Sequence, residues 1–343
     1  MKTTLAQIAH ETGISISTIS RVVTGKGYVA PVTRMIVVEA MKRLNYEKPI
    51  RLEAQQPAAD SVVLIITGGL KSSISTDTIE CLTHNLERKH KTALVAVSSF
   101  SAEGEQKLLR YAAKNNCYGV IMLSVIESSE TISLLQKMPC PVVFLGRYIP
   151  SLEMDFLHPD YYKMGSMAAE YLIAHGHSKI AFIGGSKTSS ITQDKLMGLE
   201  DTLAAHGLAL DPEMINHNDR LLYENGKNVA QWLLKLPYQP TAIFTSNDIT
   251  VGIVDELLRV GVNIPRDLSI FSCDDTPMSG SCRVPLTTTC VETSRIAAET
   301  VRVLFHRKRS SSSPRSYMIF DPILIERESV TIPRKTDQFE ILS

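Results

Sequence analysis

The sequence predicts an α/β chain: an N-terminal helix-turn-helix, three-helix head followed by two doubly wound parallel-sheet domains. Three observations predict it. Residues 4–23 carry the capping and glycine signals of two short helices joined by a tight turn. From Ser61 onward, short β-branched or aliphatic runs alternate with amphipathic stretches, the pattern of a parallel sheet covered by helices. That pattern restarts near Lys179, so two such domains are expected. A length of 343 residues suits a small head and two ordinary domains.

Within the head, Thr4 with Gln7 makes a capping box that starts the first helix. Gly13 supplies the positive φ of a sharp turn, and the Ser15 oxygen caps the second helix. Leu5, Ile8, Ala9, Ile14, Ile19, Val22 and Val23 fall where the two helices press together. Ile16, Ser17, Ser20 and Arg21 are left on the outer face. A helix presented this way fits a major groove, its first residues meeting base edges. After a loop at 25–28, Pro31 opens a third helix, with Ala30 before it offering no side-chain cap. Val37, Ala40, Met41 and Leu44 close the small core. Residues 1–50 hold seven basic and three acidic side chains, a charge of +4 that leaves −4 for the rest of a formally neutral chain. A basic head on an acidic body points to a nucleic-acid module joined to something else.

Residues 47–61 read as a linker, poor in apolar residues and interrupted by Pro49 and Pro57. Strands are expected at 62–67, 93–98, 119–124 and 141–146, all of them buried, then at 179–185, 241–246 and 268–273. Helices are expected near 76–90, 103–116, 128–137, 160–175, 190–206, 224–236 and 248–260. A strand at 286–291, a helix at 293–308 and one last strand near 318–325 complete the chain, with 307–314 a polar, solvated surface loop.

With 44% apolar and 21% charged residues the composition is that of an ordinary globular chain. The opening MKTTLAQIAH lacks the apolar core of a signal peptide and no run approaches a membrane span, so a cytoplasmic protein without membrane partners is expected. The six cysteines include no Cys-x-x-Cys pair and read as reduced core thiols. No G-x-S-x-G elbow, P-loop, G-x-G-x-x-G or metal-spaced cluster is present, so neither catalytic residues, a cofactor nor a metal is expected. His175 and His177 flank a glycine turn and read as structural.

The stretch 4–46, HGHSKIAFIGG at 175–185, IFTSND at 243–248, NIPRDLSIFSCDD at 263–275 and VPLTTTCVE at 284–292 stand in one order along nearly the whole chain. In these motifs the sequence resembles the lac-repressor (LacI/GalR) family of bacterial transcription regulators. The resemblance implies a core like periplasmic sugar-binding proteins, with the 286–291 segment crossing back between domains. The organisation expected is a head at 1–47, a hinge at 48–60, one core subdomain at 61–158 plus about 291–318, the other at 159–290 plus about 319–331, and a tail at 332–343. It also implies a homodimer on a near-palindromic double-stranded operator, with a small-molecule effector controlling the grip. Arg21 is then the candidate to meet guanine, while Ile16, Ser17 and Ser20 meet neighbouring positions. Thr4, Ser15, Thr24, Tyr28 and Thr33 are candidate phosphate contacts. The family's linker folds into a hinge helix whose leucine wedges the minor groove. Here Gln55 or Gln56 stands at the wedge position, with Leu52 the one large aliphatic nearby. Either Leu52 substitutes or the operator is bent less, and the second is preferred.

Open parallel sheets bind ligands beyond the carboxyl ends of their strands. Gly68, Ser72, Ser124, Arg147, Lys195, Asn247 and Asp274 are the candidate effector residues, Asn247 and Asp274 by match to the family's inducer contacts. Asp248 and Asp275 are expected to cap or turn the backbone, and Trp232 to sit in the core. Lys195 stands where the family has an arginine, and Gly146 where relatives often have an acid. Both changes favour an anionic effector, a sugar acid or phosphate, over a neutral sugar. The tail lacks a sustained heptad, so a dimer is expected and not a tetramer. The competing class is a solute-binding protein without DNA-linked regulation.

Overall fold

In a computed structural model the protein is described at residues 3–24, 29–46, 61–149, 151–246 and 248–335. Two compact units divide it, 1–59 and 60–343.

The head holds α1 (Leu5–Thr12), α2 (Ile16–Thr24) and α3 (Pro31–Arg43). The Thr4 N–H donates to Gln7 Oε1 at 2.8 Å, and Gly13 ends α1 at φ 68° with its N–H on the Ala9 carbonyl. Ser15 Oγ accepts the Thr18 N–H at 3.3 Å. Ile8, Ile19, Val22, Val23, Val29, Val37, Ala40 and Met41 form the core, with Leu5, Ala9, Ile14 and Leu44 around it. The loop at 25–28 and the linker at 47–60 lie outside the described residues.

The body is built on two six-stranded sheets. Lobe 1 has β1 (Val62–Thr67), β2 (Thr92–Val97), β3 (Gly119–Met122), β4 (Val142–Leu145), β5 (Asp155–Pro159) and β11 (Tyr317–Phe320), in the order β11-β5-β4-β3-β1-β2, all parallel. Alternation along β1 sends Val63 and Ile65 to one face, against α4 (Ser73–Glu87) and α12 (Thr293–Arg309). Leu64 and Ile66 face α5 (Ala102–Lys114) and α6 (Ser129–Gln136). Period-two burial on both faces is what a parallel sheet between helices requires.

Lobe 2 has β6 (Ile180–Gly184), β7 (Ile215–His217), β8 (Ala242–Phe244), β9 (Ser269–Cys273), β10 (Thr287–Cys290) and β12 (Ile323–Ile325), in the order β12-β10-β9-β8-β6-β7. Only β12 runs antiparallel. Phe182, Phe244 and Phe271 pack on α7 (Tyr161–Ala174) and α8 (Ser190–Ala205). Ile183, Ile243 and Ile270 pack on α9 (Gly226–Lys235) and α10 (Asp248–Arg259). A short α11 (Pro277–Ser281) lies between β9 and β10. The chain passes between lobes three times, from β5 to α7, from β10 to α12 and from β11 to β12.

Four expectations are corrected. The single last strand is two, β11 and β12, in different sheets, because Asp321-Pro322 breaks the run and proline cannot donate to a ladder. The strand at 93–98 is not buried: β2 is the free edge of its sheet, with Leu94, Val95 and Val97 exposed by 39%, 36% and 44%. The 307–314 loop is not wholly solvated. Arg307, inside α12, is buried, pairs with Asp155 through two 2.8 Å bonds and donates to the carbonyls of Ser311, Ser313 and Pro314. That buried acid explains the fourth: β5 was not anticipated because Asp155 and His158 interrupt its apolar run, yet Arg307 makes burial of Asp155 tolerable. No helix among the described residues is long and apolar enough to cross a membrane.

Candidate functional sites

On the head, α2 buries Ile19, Val22 and Val23 and turns Ile16, Ser17 and Arg21 outward, with Ile16 52% exposed and Ser20 half-buried. Arg43 is paired with Glu11 at 2.6 Å, whereas Arg21 makes no ion pair among the described residues. Thr4 and Thr24 are exposed, and the Thr24 hydroxyl donates to the Ser20 carbonyl at 2.6 Å, which leaves its oxygen lone pairs free. Thr33 is half-buried on α3. Ser15 is occupied as a cap, within 2.8 Å of Thr18 Oγ1 and 3.0 Å of Ser17 Oγ. Tyr28, Leu52, Gln55 and Gln56 lie outside the described residues.

In the body, the strand ends of both lobes face one cavity of about 990 Å³. Ser72, Ser124 and Arg147 line it from lobe 1, and Lys195, Thr245 and Asp274 from lobe 2. Five of the proposed effector residues are therefore brought together. Asn247 falls outside the described residues. Gly68 is a correction: it does not line the cavity, because the Phe100 ring lies on it and would collide with any Cβ there. Two left-handed residues in succession, Ser99 at φ 58° and Phe100 at φ 54°, hold that ring across Gly68 and Gly69.

One ion pair, Lys195 with Asp274, lies in the cavity wall. Lys195 is 4% exposed, with Nζ 3.1 Å from Asp274 Oδ2, 2.8 Å from Cys273 Sγ and 5.4 Å from the Tyr161 ring centroid. Burial opposes its charge, but Asp274 and then Cys273 outweigh burial and hold the ammonium above its ordinary pKa. Burial pushes the Cys273 thiol up to about 12 despite the lysine beside it. Glu105, fully buried, receives Ser124 Oγ at 2.9 Å and the Ile126 N–H at 2.8 Å; burial raises its pKa against these bonds. Arg147 reaches across the cleft to Ser189 Oγ at 3.0 Å. Burial lowers its pKa, partly countered by Tyr161 and Glu105, and it makes no ion pair among the described residues. Gly146, at φ 80°, offers its carbonyl to the Tyr161 hydroxyl at 3.0 Å, so the place of an acid is taken by a left-handed turn.

Two hydroxyls in the wall, Ser72 Oγ and Thr245 Oγ1, are buried without a hydrogen-bond partner among the described residues. Buried polar groups are normally paired, so these two hydroxyls, one on each lobe, stand out in the wall. Asp275 is tied to Arg327 at 2.7 and 3.1 Å and shapes the turn. Trp232 is half-buried against the α9–α10 core, away from the cavity. His177 bonds Thr241 Oγ1 at 2.9 Å and the Thr331 carbonyl at 2.7 Å, a structural role. Sequence reasoning missed Glu105, Phe100, Tyr161, Thr245 and Arg220. Thr245 lies inside the IFTSND stretch and was within reach; nothing in the polar 102–114 helix marks Glu105 as buried.

Residues 4–48 match the family model described as bacterial regulatory proteins, lacI family, and residues 169–330 match that of a periplasmic binding protein-like domain. The chain is 25% identical over 335 residues to the HTH-type transcriptional regulator DegA of Bacillus subtilis, covering 96% of this chain and 99% of the relative. The chain therefore carries a lacI-family DNA-binding domain and a periplasmic binding protein-like domain. Another family relative, the HTH-type transcriptional repressor PurR of Pasteurella multocida, is 24% identical over 330 residues, covering 95% and 98% of the two chains. Among solved structures, the transcriptional regulator CelR–cellobiose complex superposes with a TM-score of 0.72 at 24% identity, covering 96% of this chain and all of that one. Like these family members, the protein joins a DNA-binding head to an effector-binding core.

Proposed function

We propose that this DNA-binding regulator is a repressor acting as a homodimer on a near-palindromic operator, released or recruited by a hydroxyl-rich small molecule that carries an acid group. The observation that carries this reading is the union in one chain of an outward Ile16–Ser17–Arg21 face and a cavity between the two lobes with unpaired hydroxyls on both walls. Arg21 would read guanine, Ile16 a thymine methyl, and Thr4, Thr24 and Thr33 would fix register on phosphates. Ser72 and Thr245 would meet ligand hydroxyls, a chemistry in keeping with the cellobiose named for the structural neighbour. Lys195 does not supply the free cation, since Asp274 already neutralises it. Arg147 would take the carboxylate or phosphate, its fork suited to that geometry. The exposed edge β2, with Leu94, Val95 and Val97, would pair with a second copy of the chain, as an open apolar edge favours. Calorimetry with parallel sets of neutral sugars, sugar acids and sugar phosphates tests the ligand class. Binding of an acid or phosphate, abolished by Arg147→Met in a folded protein, supports it; binding of uncharged sugars alone rejects it.

A further inference from the structure

The first turn of α4 has an unusual cap. Its N-cap residue is Ser72, the residue type that normally supplies the capping oxygen. Ser72 makes no such bond, and its hydroxyl is the unpaired one in the cavity wall. The cap comes instead from lobe 2. Asp248, at the start of α10 and 5% exposed, accepts the Ser73 N–H at 2.9 Å through Oδ2 and the Ser73 hydroxyl through Oδ1. The two residues are 175 positions apart in sequence and belong to opposite lobes.

We propose that Asp248 is a cross-cleft latch: a carboxylate of lobe 2 that completes the amino end of a lobe 1 helix only while the cleft is closed. Opening the cleft strips α4 of its cap and leaves a carboxylate without its helix partner, so the closed form is favoured by the worth of one charged N-cap. Two further contacts close the same mouth, Lys71 to Glu224 at 2.7 Å and the Arg220 guanidinium over the Phe100 ring at 4.5 Å. Both are exposed and contribute less.

The latch is placed where a ligand would bias it. Ser72 precedes Ser73, and Thr245 stands three residues before Asp248. A ligand bridging the two unpaired hydroxyls draws together the segments that the latch joins, so binding and latching favour one state. α4 then carries the consequence. Its 15 residues span about 22 Å, from the cleft to the end of lobe 1 where β1 begins, and it packs along the exposed edge strand β2. This coupling to regulation rests on the effector reading above; the latch itself does not.

Ser73→Pro tests the latch cleanly. Proline removes both donors to Asp248 yet suits the first position of a helix, and Ser72 already has the extended ψ of 127° that a following proline demands. A fluorescent donor and acceptor on unnatural amino acids replace exposed Lys107 on α5 and Lys227 on α9, and single-molecule energy transfer is read on the full chain without ligand or DNA. The wild type is expected mostly closed. Ser73→Pro and Asp248→Ala should each raise the open-to-closed ratio about fivefold, Asp248→Asn less, and the double variant no further than either single one. A wild type already open, single variants within twofold of wild type, or a double variant equal to the product of the singles overturns the latch. A merely structural cap would lower the melting temperature and leave the transfer efficiency unmoved. With no ligand in the cell, a cavity that binds no effector leaves this result standing, and a flat result leaves DNA binding untouched.

Discussion

Lys195 Nζ and Asp274 Oδ2 lie 3.1 Å apart in the wall of the cavity between the lobes, the lysine 5% and the aspartate 16% exposed in their side chains. The point charge that the sequence placed at the family's arginine position is thus spent inside the protein. Removing one partner strands the other in a medium that solvates it poorly. Lys195→Met should therefore cost about 3 kcal/mol or more in urea denaturation, while Lys195→Met with Asp274→Asn should recover much of it. The linkage has a definite sign. The folded-state pKa of Lys195 is raised, so its contribution is complete below the ordinary lysine value and is lost only as pH climbs past it. Stability between pH 6 and 9 should be indifferent to this pair.

His177 should behave in the opposite way. It is 1% exposed, and burial lowers its pKa against the bond to the Thr331 carbonyl. A depressed histidine binds fewer protons folded than unfolded, so its contribution is present above the ordinary value near 6.5 and is lost as pH falls below it. Melting temperature should drop on acidification below about pH 6.5. His177→Gln should be less stable at pH 8 and show a shallower acid slope, checked by calorimetry from pH 5 to 8.

The edge strand β2 gives a third expectation. A lysine at Val95 puts a charge on the exposed apolar edge without touching the cavity. Val95→Lys should sediment as a monomer at concentrations where the wild type is a dimer, with its melting transition within a few degrees. A wild type that is itself monomeric would remove the dimer from the account.

Much of this fold was legible because the central strands β1, β3, β4, β6, β8 and β9 are short, mostly aliphatic runs buried on both faces, a pattern that sequence reports directly. The head was legible to the residue: Thr4, Gln7, Gly13 and Ser15 do locally what their types dictate, so no distant contact is needed to place them. Where the sequence misled, a long-range partner decided. Asp155 looks unfit for a strand until Arg307, 152 positions away, is beside it. Lys195 looks available to a ligand until Asp274 is seen next to it, and Gly68 looks open until Phe100 covers it. Asp248 was expected to cap a helix and does so, but the helix belongs to the other lobe. Local propensity cannot reveal that.

The central claim is that α2 grips duplex DNA and that the body makes the grip conditional. The most direct measurement is binding of the purified full chain to palindromic duplexes selected from a random pool, titrated against salt, with Arg21→Ala alongside. The account predicts affinity that falls steeply with salt and a loss of about 1–3 kcal/mol in the variant, concentrated at one guanine of each half-site. Failure to retain any duplex at low ionic strength, or an Arg21→Ala protein that binds and discriminates like the wild type, would contradict it.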